Sequence, residues 1–390
     1  MKIKTIILLL PILLLLNHNG YSCTTGLASP RVTAGNRALL WKNRDSSHEY
    51  NAVNFYDRGK FKVMGIINSG DTTQIWAGVN NFGFAIINAE ARDMARKNEN
   101  TRYDDEGILM KEALMRCKTV DDFEEMLKST NQTGRAVTSN FGVMDANGKV
   151  AYFETGNYEY FKFSGNDLFA NPEGYLVRSN FALRGNRQSR YGLERYLKAF
   201  RFFEEAKYQG KLSSYYLLKN VSPDISYSSC SGDYQNIYKS INRKSSVSAA
   251  IFEGILKQED AELTTFWCNI GEPALSVAVP IWVYAEEVPQ VLNMNDSSAI
   301  NHLSLKLEDF VYSDTSRSNS IFLPRYQKVQ DNIRRIQQYV IRRTRNKLTE
   351  WRADKPARSE VAKFHKEIAT KVYRALKNLL DEIHITKKRL

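Results

Sequence analysis

Near its start the chain changes from an apolar leader to a polar segment that contains a cysteine, Cys23. Two lysines precede an apolar run of eleven residues, from 6 to 16. The run is too short to span a bilayer, and Ser22 is small, as signal peptidases require at the cut. We therefore predict a cleaved secretory signal, residues 1–22, whose removal makes Cys23 the first residue of an exported protein.

An N-terminal cysteine carries a nucleophile and a base in one residue. The unperturbed pKa of an α-amino group is about 7.7–8.0 and that of a thiol about 8.5. The amine of Cys23 can therefore accept the thiol proton near neutral pH, and the thiolate is the reactive form. This pairing predicts a cysteine-dependent catalyst, with the rest of the chain as its scaffold.

A lipoprotein signal is the alternative interpretation of the same junction. Lipoprotein signals carry an aliphatic residue three positions before the lipidated cysteine, whereas this chain has Gly20 there and the bulky Tyr21 next to it. The two interpretations exclude each other, because an acylated Cys23 has no free amine. The alternative protein would be a surface lipoprotein that binds a partner without catalysis.

The net charge of +12 belongs to one segment. Residues 325–390 contain 19 Lys and Arg against seven Asp and Glu, a difference equal to the net charge of the whole chain. We expect this basic segment to be a solvated helix surface or a contact for anionic lipid or polyanionic glycan. Nucleic acid is not an expected partner of an exported protein.

The cysteines and histidines do not form a metal-binding pattern. The chain has four cysteines and five histidines, without a CxxC or HExxH motif, so we predict neither a metal nor a cofactor. Cys117 and Cys268 are expected to be small core residues. Whether Cys230 pairs with Cys268 is open from sequence alone.

The sequence of the mature chain predicts β-hairpins and meanders with helices between them. The Asn147-Gly148 pair between two β-rich runs is a strong hairpin signal, and Thr119 is a plausible helix N-cap. Strands are predicted at 38–41, 62–68, 74–77, 141–144, 150–153, 176–181, 246–252, 264–267 and 274–284, and helices at 106–117, 120–128 and 189–207. The pattern is not a strict β-α-β alternation, so it predicts an α+β fold with antiparallel sheets.

The C-terminal part has a different pattern. Residues 285–324 are predicted to be irregular, with a loop at 314–320. Beyond Pro324, apolar residues recur at helical spacing up to Val340, and again from 361 to 383 after Pro356. These residues predict a basic helical hairpin that packs on the main domain or on a partner.

Four motifs together resemble one enzyme group. They are the cysteine after the leader, an Asp 22 residues later in Lys-Asn-Arg-Asp, a G-x-N-x-x-G-x-A hairpin at 78–85 and an N-F-G-V-x-D hairpin at 140–145. In this order they resemble the N-terminal-nucleophile (Ntn) hydrolases of the acyl-CoA:6-aminopenicillanic acid acyltransferase-like and choloylglycine hydrolase kinds. The resemblance covers residues 23–285 and implies an αββα sandwich of two mainly antiparallel sheets, which hydrolyses linear amides.

The resemblance implies roles for two positions and raises a question about a third. Cys23 matches the nucleophile, and Asp45 matches the aspartate that orients its α-amino group. Lys42 stands where the family has arginine, and lysine lacks the planar fork of a guanidinium. Arg44 is a neighbouring residue that could substitute for it. The late-sequence arginine of the family is not assigned.

Two asparagines complete the implied site. Asn180, in Arg-Ser-Asn-Phe, resembles the asparagine that donates to the developing oxyanion, and Asn88 resembles a second asparagine of the pocket. The catalytic set is therefore Cys23, Asp45, Asn180, Asn88 and Lys42. The predicted reaction forms a thioester on Cys23, which water or a second amine then resolves.

These observations give one main prediction for the chain. We expect an exported amidohydrolase or N-acyltransferase that acts on a small-molecule linear amide without a cofactor. The predicted domains are the signal peptide at 1–22, a catalytic domain at 23–324 and the basic helical extension at 325–390. An inactive member of the same family is a further alternative, because Lys42 departs from the family pattern. The acyl group, the amine and the oligomeric state are open.

Overall fold

A computed structural model describes residues 22–95, 105–186, 190–226, 230–312 and 319–388. The predicted signal peptide, apart from Ser22, lies outside these residues, as does most of the predicted loop at 314–320. The side chain of Cys230 is also outside the description. Cys268 is a free, fully buried thiol whose Sγ donates to the carbonyl oxygen of Val279 at 3.3 Å.

The described residues form strands and helices in mixed order. The strands are β1 Thr24–Ala28, β2 Leu39–Asp45, β3 Asn51–Arg58, β4 Phe61–Asn68, β5 Ala77–Asn80, β6 Ala85–Glu90, β7 Ser139–Met144, β8 Val150–Thr155, β9 Tyr160–Ser164, β10 Tyr175–Arg178, β11 Cys230–Ser231, β12 Tyr234–Asn236, β13 Ser246–Glu253, β14 Thr265–Ile270, β15 Val279–Ile281 and β16 Ser320–Phe322. The helices are α1 Glu106–Leu114, α2 Val120–Thr130, α3 Leu193–Tyr208, α4 Ser214–Tyr216, α5 Ala299–Val311, α6 Leu323–Ala353 and α7 Arg358–Lys388.

Two large antiparallel sheets form the centre of the molecule. One has six strands in the order β10-β1-β2-β13-β14-β15, and the other has seven in the order β3 to β9. Their inner faces share one hydrophobic core, to which Leu40 of β2 and Ile87 of β6 both belong. The hydroxyl of Tyr152 on β8 also donates to Oγ1 of Thr25 on β1 at 2.8 Å, so the sheets pack face to face.

Helices cover the outer faces of both sheets. Helices α1 and α2 pack on the seven-stranded sheet around a second core that includes Phe123 and Phe141. Helices α3, α5, α6 and α7 cover the six-stranded sheet, with Phe203 and Trp351 in the first core. The result is the predicted αββα arrangement, and the prediction of the fold class is confirmed.

Local sequence signals explain several element ends. Thr119 accepts a hydrogen bond from the amide of Asp122, whose carboxylate accepts from the amide of Thr119, so a complete capping box starts α2. Gly148 has φ +78° in the turn between β7 and β8, a conformation that favours glycine. Pro324 lies in the first turn of α6, where its missing N–H costs nothing.

Three predicted segments differ from the structure. The predicted strand at 74–77 is a strand only at Ala77, because the amide of Ile75 donates to the carbonyl oxygen of Gly107 in α1 and not to a neighbouring strand. The predicted strand at 274–284 is a strand only at Val279–Ile281, because residues 274–278 form a buried connection. The predicted irregular region at 285–324 contains the helix Ala299–Val311, which begins at the N-cap Ser298. Its buried apolar residues recur at helical spacing, so the sequence itself indicates this helix.

The basic helical hairpin packs on its own chain. Arg352 of α6 contacts Glu253 of β13 at 2.9 Å, and Arg358 of α7 contacts Glu262 at 2.7 Å. Trp351 and Phe364 of the two helices are buried against Trp282. Both predicted helices are therefore confirmed. In the described part of the chain, none of the helices combines the length and apolarity needed to cross a membrane.

Candidate active site

Strand register places Cys23 at the end of a central strand. On one side, β1 pairs with β10 so that Thr25 lies opposite Arg178, and on the other it pairs with β2 so that Thr24 lies opposite Asn43. The pairing with β10 ends at Arg178, two residues before Asn180, and Arg195 donates both to the carbonyl oxygen of Cys23 and to Oδ1 of Asn180. Cys23 and Asn180, far apart in sequence, therefore share one buried guanidinium group at this sheet end.

Cys23 lies at a cleft between the two sheets. The cleft has a volume of about 700 Å³, and the predicted residues Lys42, Asp45 and Asn88 line it together with Cys23. Cys23 itself is 8% exposed, so its side chain is mostly protected from bulk water. Four of the five predicted site residues therefore meet around one cleft.

Asp45 binds an arginine that the sequence analysis left unassigned. Arg243 Nε and Nη2 lie 2.7 and 2.6 Å from Asp45 Oδ2, and the hydroxyl of Ser246 donates to Oδ1 at 2.5 Å. Burial lowers the pKa of Arg243, but the carboxylate of Asp45 outweighs burial and raises that pKa above its ordinary value. Arg243 Nη2 also donates to the carbonyl oxygen of Ser22 at 3.1 Å. Asp45 is therefore linked through Arg243 to the peptide bond that precedes Cys23.

Arg195 is a second buried arginine at this position. Its Nη1 donates to the carbonyl oxygens of Ser22 and Cys23 at 2.9 and 2.8 Å and to Oγ1 of Thr24 at 2.7 Å. Burial, and then the nearby Arg243, lower the pKa of Arg195 to about 10, so it remains a cation at neutral pH. Two guanidinium groups thus hold the carbonyl oxygen of Ser22.

Asn180 is connected to the same arginine. Its Oδ1 accepts from Arg195 Nη2 at 3.3 Å, and its Nδ2 donates to the carbonyl oxygen of Glu90 at 3.0 Å. The amide oxygen of Asn180 therefore faces Arg195, and its nitrogen faces Glu90. The proposed role of Asn180 as an oxyanion donor stays a prediction.

Lys42 is a buried residue of the cleft. It is 1% exposed, and its Nζ donates to Oδ1 of Asn88 and to the carbonyl oxygen of Trp76, the latter at 2.7 Å. Asn88 Nδ2 in turn donates to Glu106 Oε2 at 2.7 Å. Lys42, Asn88 and Glu106 therefore form one hydrogen-bonded chain across the cleft. The role of Asn88 in the reaction also stays a prediction.

Arg44 lies on the same strand face as Lys42. Its guanidinium donates to Oδ1 of Asn51 at 2.7 Å and to Oδ1 of Asn68 at 2.9 Å, and it lies 4.7 Å from the ring centroid of Trp76. Arg44 lines the cleft but does not occupy the position of Lys42. It adds a second cation to this wall.

Sequence reasoning missed Arg195 and left Arg243 out. Arg243 lies 198 residues from Asp45 along the chain, and Arg195 lies 172 residues from Cys23. Neither belongs to a local motif of the kind that identified Asp45. In the predicted helix at 189–207, Arg195 lies four residues before Ala199 and eight before Phe203, so helical spacing places it on the buried face. This spacing is the sequence signal that indicates Arg195.

The described residues do not fit a metal site. Among them, no group of three or more His, Cys, Asp and Glu side chains is placed to hold a metal ion. The groups around Cys23 are instead cations, amides and carboxylates paired with each other. The arrangement suits nucleophilic and acid–base chemistry by side chains.

Comparison with known proteins identifies similar folds at low identity. No protein-family model matches the chain, and no curated protein matches it. Three of the solved structures with similarity are the N-acylethanolamine-hydrolyzing acid amidase ortholog from Caenorhabditis elegans, conjugated bile acid hydrolase from Clostridium perfringens and penicillin V acylase from Agrobacterium tumefaciens.

The amidase ortholog is 12% identical over 59% of this chain and 92% of its own chain, with a TM-score of 0.41. The bile acid hydrolase is 15% identical over 63% of this chain and 89% of its own, with a TM-score of 0.39. The penicillin V acylase is 12% identical over 67% of this chain and 85% of its own, with a TM-score of 0.37.

Proposed function

We propose that the chain is an exported amidohydrolase or N-acyltransferase that uses Cys23 as an N-terminal nucleophile. In this proposal, removal of residues 1–22 frees the α-amino group of Cys23. The substrate is a linear amide of an acyl group with a small amine or amino acid. The reaction proceeds through a thioester on Cys23, which water or a second amine resolves.

The observation that carries this proposal is the environment of the Ser22–Cys23 peptide bond. Asp45 and Arg243 form a buried ion pair, and Arg243 contacts the carbonyl oxygen of Ser22. A cut at this bond would create an α-amino group within reach of the same buried pair. A carboxylate held by charge-assisted hydrogen bonds can orient such an amine.

Four buried cations surround the proposed nucleophile. Lys42 and Arg44 line the cleft with Cys23, and Arg195 and Arg243 bind the adjacent backbone. All four are at most 5% exposed. The free amine of Cys23 would accept the proton of its thiol, and the thiolate would then attack the amide carbonyl carbon. The C–N bond breaks as the amine leaves with the proton.

The tetrahedral intermediate needs hydrogen-bond donors at its oxygen. We assign this role to Asn180, which Arg195 holds next to the cleft, and to Asn88, which lines the cleft. Loss of one oxyanion donor costs roughly 3–4 kcal/mol of transition-state stabilisation in related acyl-transfer enzymes. Water or an amine then attacks the thioester carbon and releases Cys23, so hydrolysis and acyl transfer differ only in this acceptor.

The test uses the mature protein with a panel of N-acyl amino acids and bile-salt conjugates. We expect amine release by the wild-type protein and none by Cys23→Ala. Cys23→Ser should retain at most residual activity, because an alcohol is a far weaker acid than a thiol.

Cys117 provides a matched control in the same assay. It is buried in the second core, and burial raises the pKa of its thiol to about 12. Cys117→Ala should therefore keep wild-type activity per folded molecule. Equal loss in Cys117→Ala and Cys23→Ala, or a wild-type protein inert across the panel, would count against the proposal.

A further inference from the structure

A second cleft lies at the opposite end of the strands from Cys23. Its volume is about 890 Å³, and it is bounded by the loop between β1 and β2, by α4 and by α6. Strand β1 has five residues, so at about 3.3 Å per residue the two clefts are about 16 Å apart along it. The second cleft is thus separate from the proposed active site.

Two arginine–glutamate ion pairs form the floor of this cleft. Arg37 Nη2 donates to Glu259 Oε1 at 2.6 Å, and Arg352 Nη2 donates to Glu253 Oε1 at 2.9 Å. Arg37 and Glu253 are each 7% exposed. Two arginines and two glutamates balance each other, so the floor contributes little net charge.

The rim of the cleft is positively charged. Lys211, Lys219 and Arg345 line it and are exposed, and none of them forms an ion pair with another described residue. Arg345 lies 5.3 Å from the ring centroid of Tyr215, and Lys211 donates to Oε1 of Gln209 at 3.0 Å. Three cations therefore surround a cleft whose floor is already neutral.

The remaining lining is mainly hydroxyl and amide groups. Side chains of Ser213, Tyr216, Asn220 and Thr349 line the cleft, and Leu39 is one of few aliphatic residues among them. Hydroxyl and amide groups match the hydroxyl groups of sugars, and tyrosine rings suit the apolar faces of sugar rings. A concave cleft of this kind also cannot be filled by a planar membrane surface.

We infer that this cleft binds an anionic oligosaccharide. Acid groups of the sugar chain would lie against Lys211, Lys219 and Arg345, and its hydroxyl groups against the polar lining. Beyond the cleft, α6 continues with the exposed residues Arg335 and Arg342, over which a longer sugar chain extends. The basic extension thus provides part of a glycan-binding site on the same chain as the catalytic domain.

The test measures binding of a uronate hexasaccharide to the full mature chain by calorimetry. We expect binding that weakens with added salt, and no binding of a neutral glucose hexasaccharide of the same length. The double variant Lys219→Ala/Arg345→Ala should bind about tenfold more weakly, which corresponds to about 1.4 kcal/mol shared between two exposed contacts. It should unfold at the wild-type urea concentration.

A charge-matched control separates a site from general attraction. Arg374→Ala/Lys377→Ala removes two exposed cations from α7, away from the cleft, and should change the affinity less than twofold, about the scatter of a surface change. Equal weakening by both double variants would overturn the proposal, as would absence of wild-type binding. Anionic phospholipid vesicles or single-stranded DNA that bind more tightly than the uronate would also overturn it.

Discussion

At the residue scale, the central pair is Asp45 with Arg243. The sequence identified Asp45 through its distance from Cys23 and its neighbours in Lys-Asn-Arg-Asp. Arg243 could not be assigned, because a single arginine in a loop has no local pattern that marks its partner. Strand β13 pairs with β2 so that Ser246 lies opposite Asp45. This pairing brings Arg243, in the loop before Ser246, next to the carboxylate of Asp45.

The first prediction concerns Arg243→Met. The substitution leaves the carboxylate of Asp45 buried without its cation, and removing one partner of such a pair costs about 3–5 kcal/mol of folding stability. Urea unfolding measures this loss. Arg243→Lys keeps the charge and should recover part of the stability. A free energy of unfolding within 0.5 kcal/mol of wild type, roughly the scatter of a neutral surface change, would show that the pair is not important.

The second prediction concerns Asn180→Leu. If the amide donates to the oxyanion, kcat should fall about 100- to 1,000-fold while KM changes little, because the contact forms only in the transition state. Steady-state hydrolysis of the best amide in the panel measures both constants. A rise in KM with unchanged kcat would instead assign Asn180 to substrate binding.

At the element scale, hairpins and caps were predictable and long-range packing was not. The Asn147-Gly148 turn and the Thr119 cap are encoded by neighbouring residues, and both are present in the structure. The helix Ala299–Val311 is encoded locally as well, because Ser298 caps it and its buried apolar residues recur at helical spacing; only its packing against α7 required the fold. Local signals therefore gave the elements, while their contacts required the fold.

The third prediction concerns the contact between α6 and β13. Arg352 lies 2.9 Å from Glu253 and 3.8 Å from Glu259. Arg352→Ala should lower the free energy of unfolding by about 1–3 kcal/mol, because it leaves buried carboxylate oxygens short of a charged donor. Urea unfolding measures the change. As a control, Arg374 is exposed, and Arg374→Ala should change the free energy of unfolding by less than about 0.5 kcal/mol. Similar changes in both variants would contradict a specific contact of Arg352.

At the scale of the whole molecule, the C-terminal helices are part of the folded unit. The sequence showed where the basic charge lies, but could not show that acidic residues of the main domain neutralise part of it. Arg352, Lys355 and Arg358 each pair with carboxylates outside the two helices. Other exposed cations lie on both helices, among them Arg342 and Arg345 of α6 and Arg374 and Lys377 of α7.

The fourth prediction concerns pH and His365 of α7. Burial, and then Lys366, lower the pKa of His365 from its ordinary 6.5 to about 4. Between these values the unfolded chain binds a proton that the folded chain does not. This contribution to stability is therefore fully present above pH 6.5 and is lost as the pH falls towards 4, by at most about 3 kcal/mol.

Urea unfolding across this pH range tests the prediction. His365 lies in the core with neither ring nitrogen hydrogen-bonded to a described residue, and its Nε2 is 3.9 Å from Glu287. His365→Gln should show a shallower loss of stability on acidification, whatever its absolute stability. Parallel curves for the two proteins would mean that Glu287 already compensates the imidazolium in the folded state.

The proposed reaction requires Cys23 to be a free N-terminal residue that carries the acyl group. The most direct measurement is the intact mass of the exported protein, before and after brief incubation with a cleaved amide, followed by mapping of the adduct. We predict a mass that begins at unmodified Cys23 and then increases by one acyl group on that residue. A mass that retains residues ahead of Cys23, or includes a diacylglyceryl group, would contradict the proposed reaction.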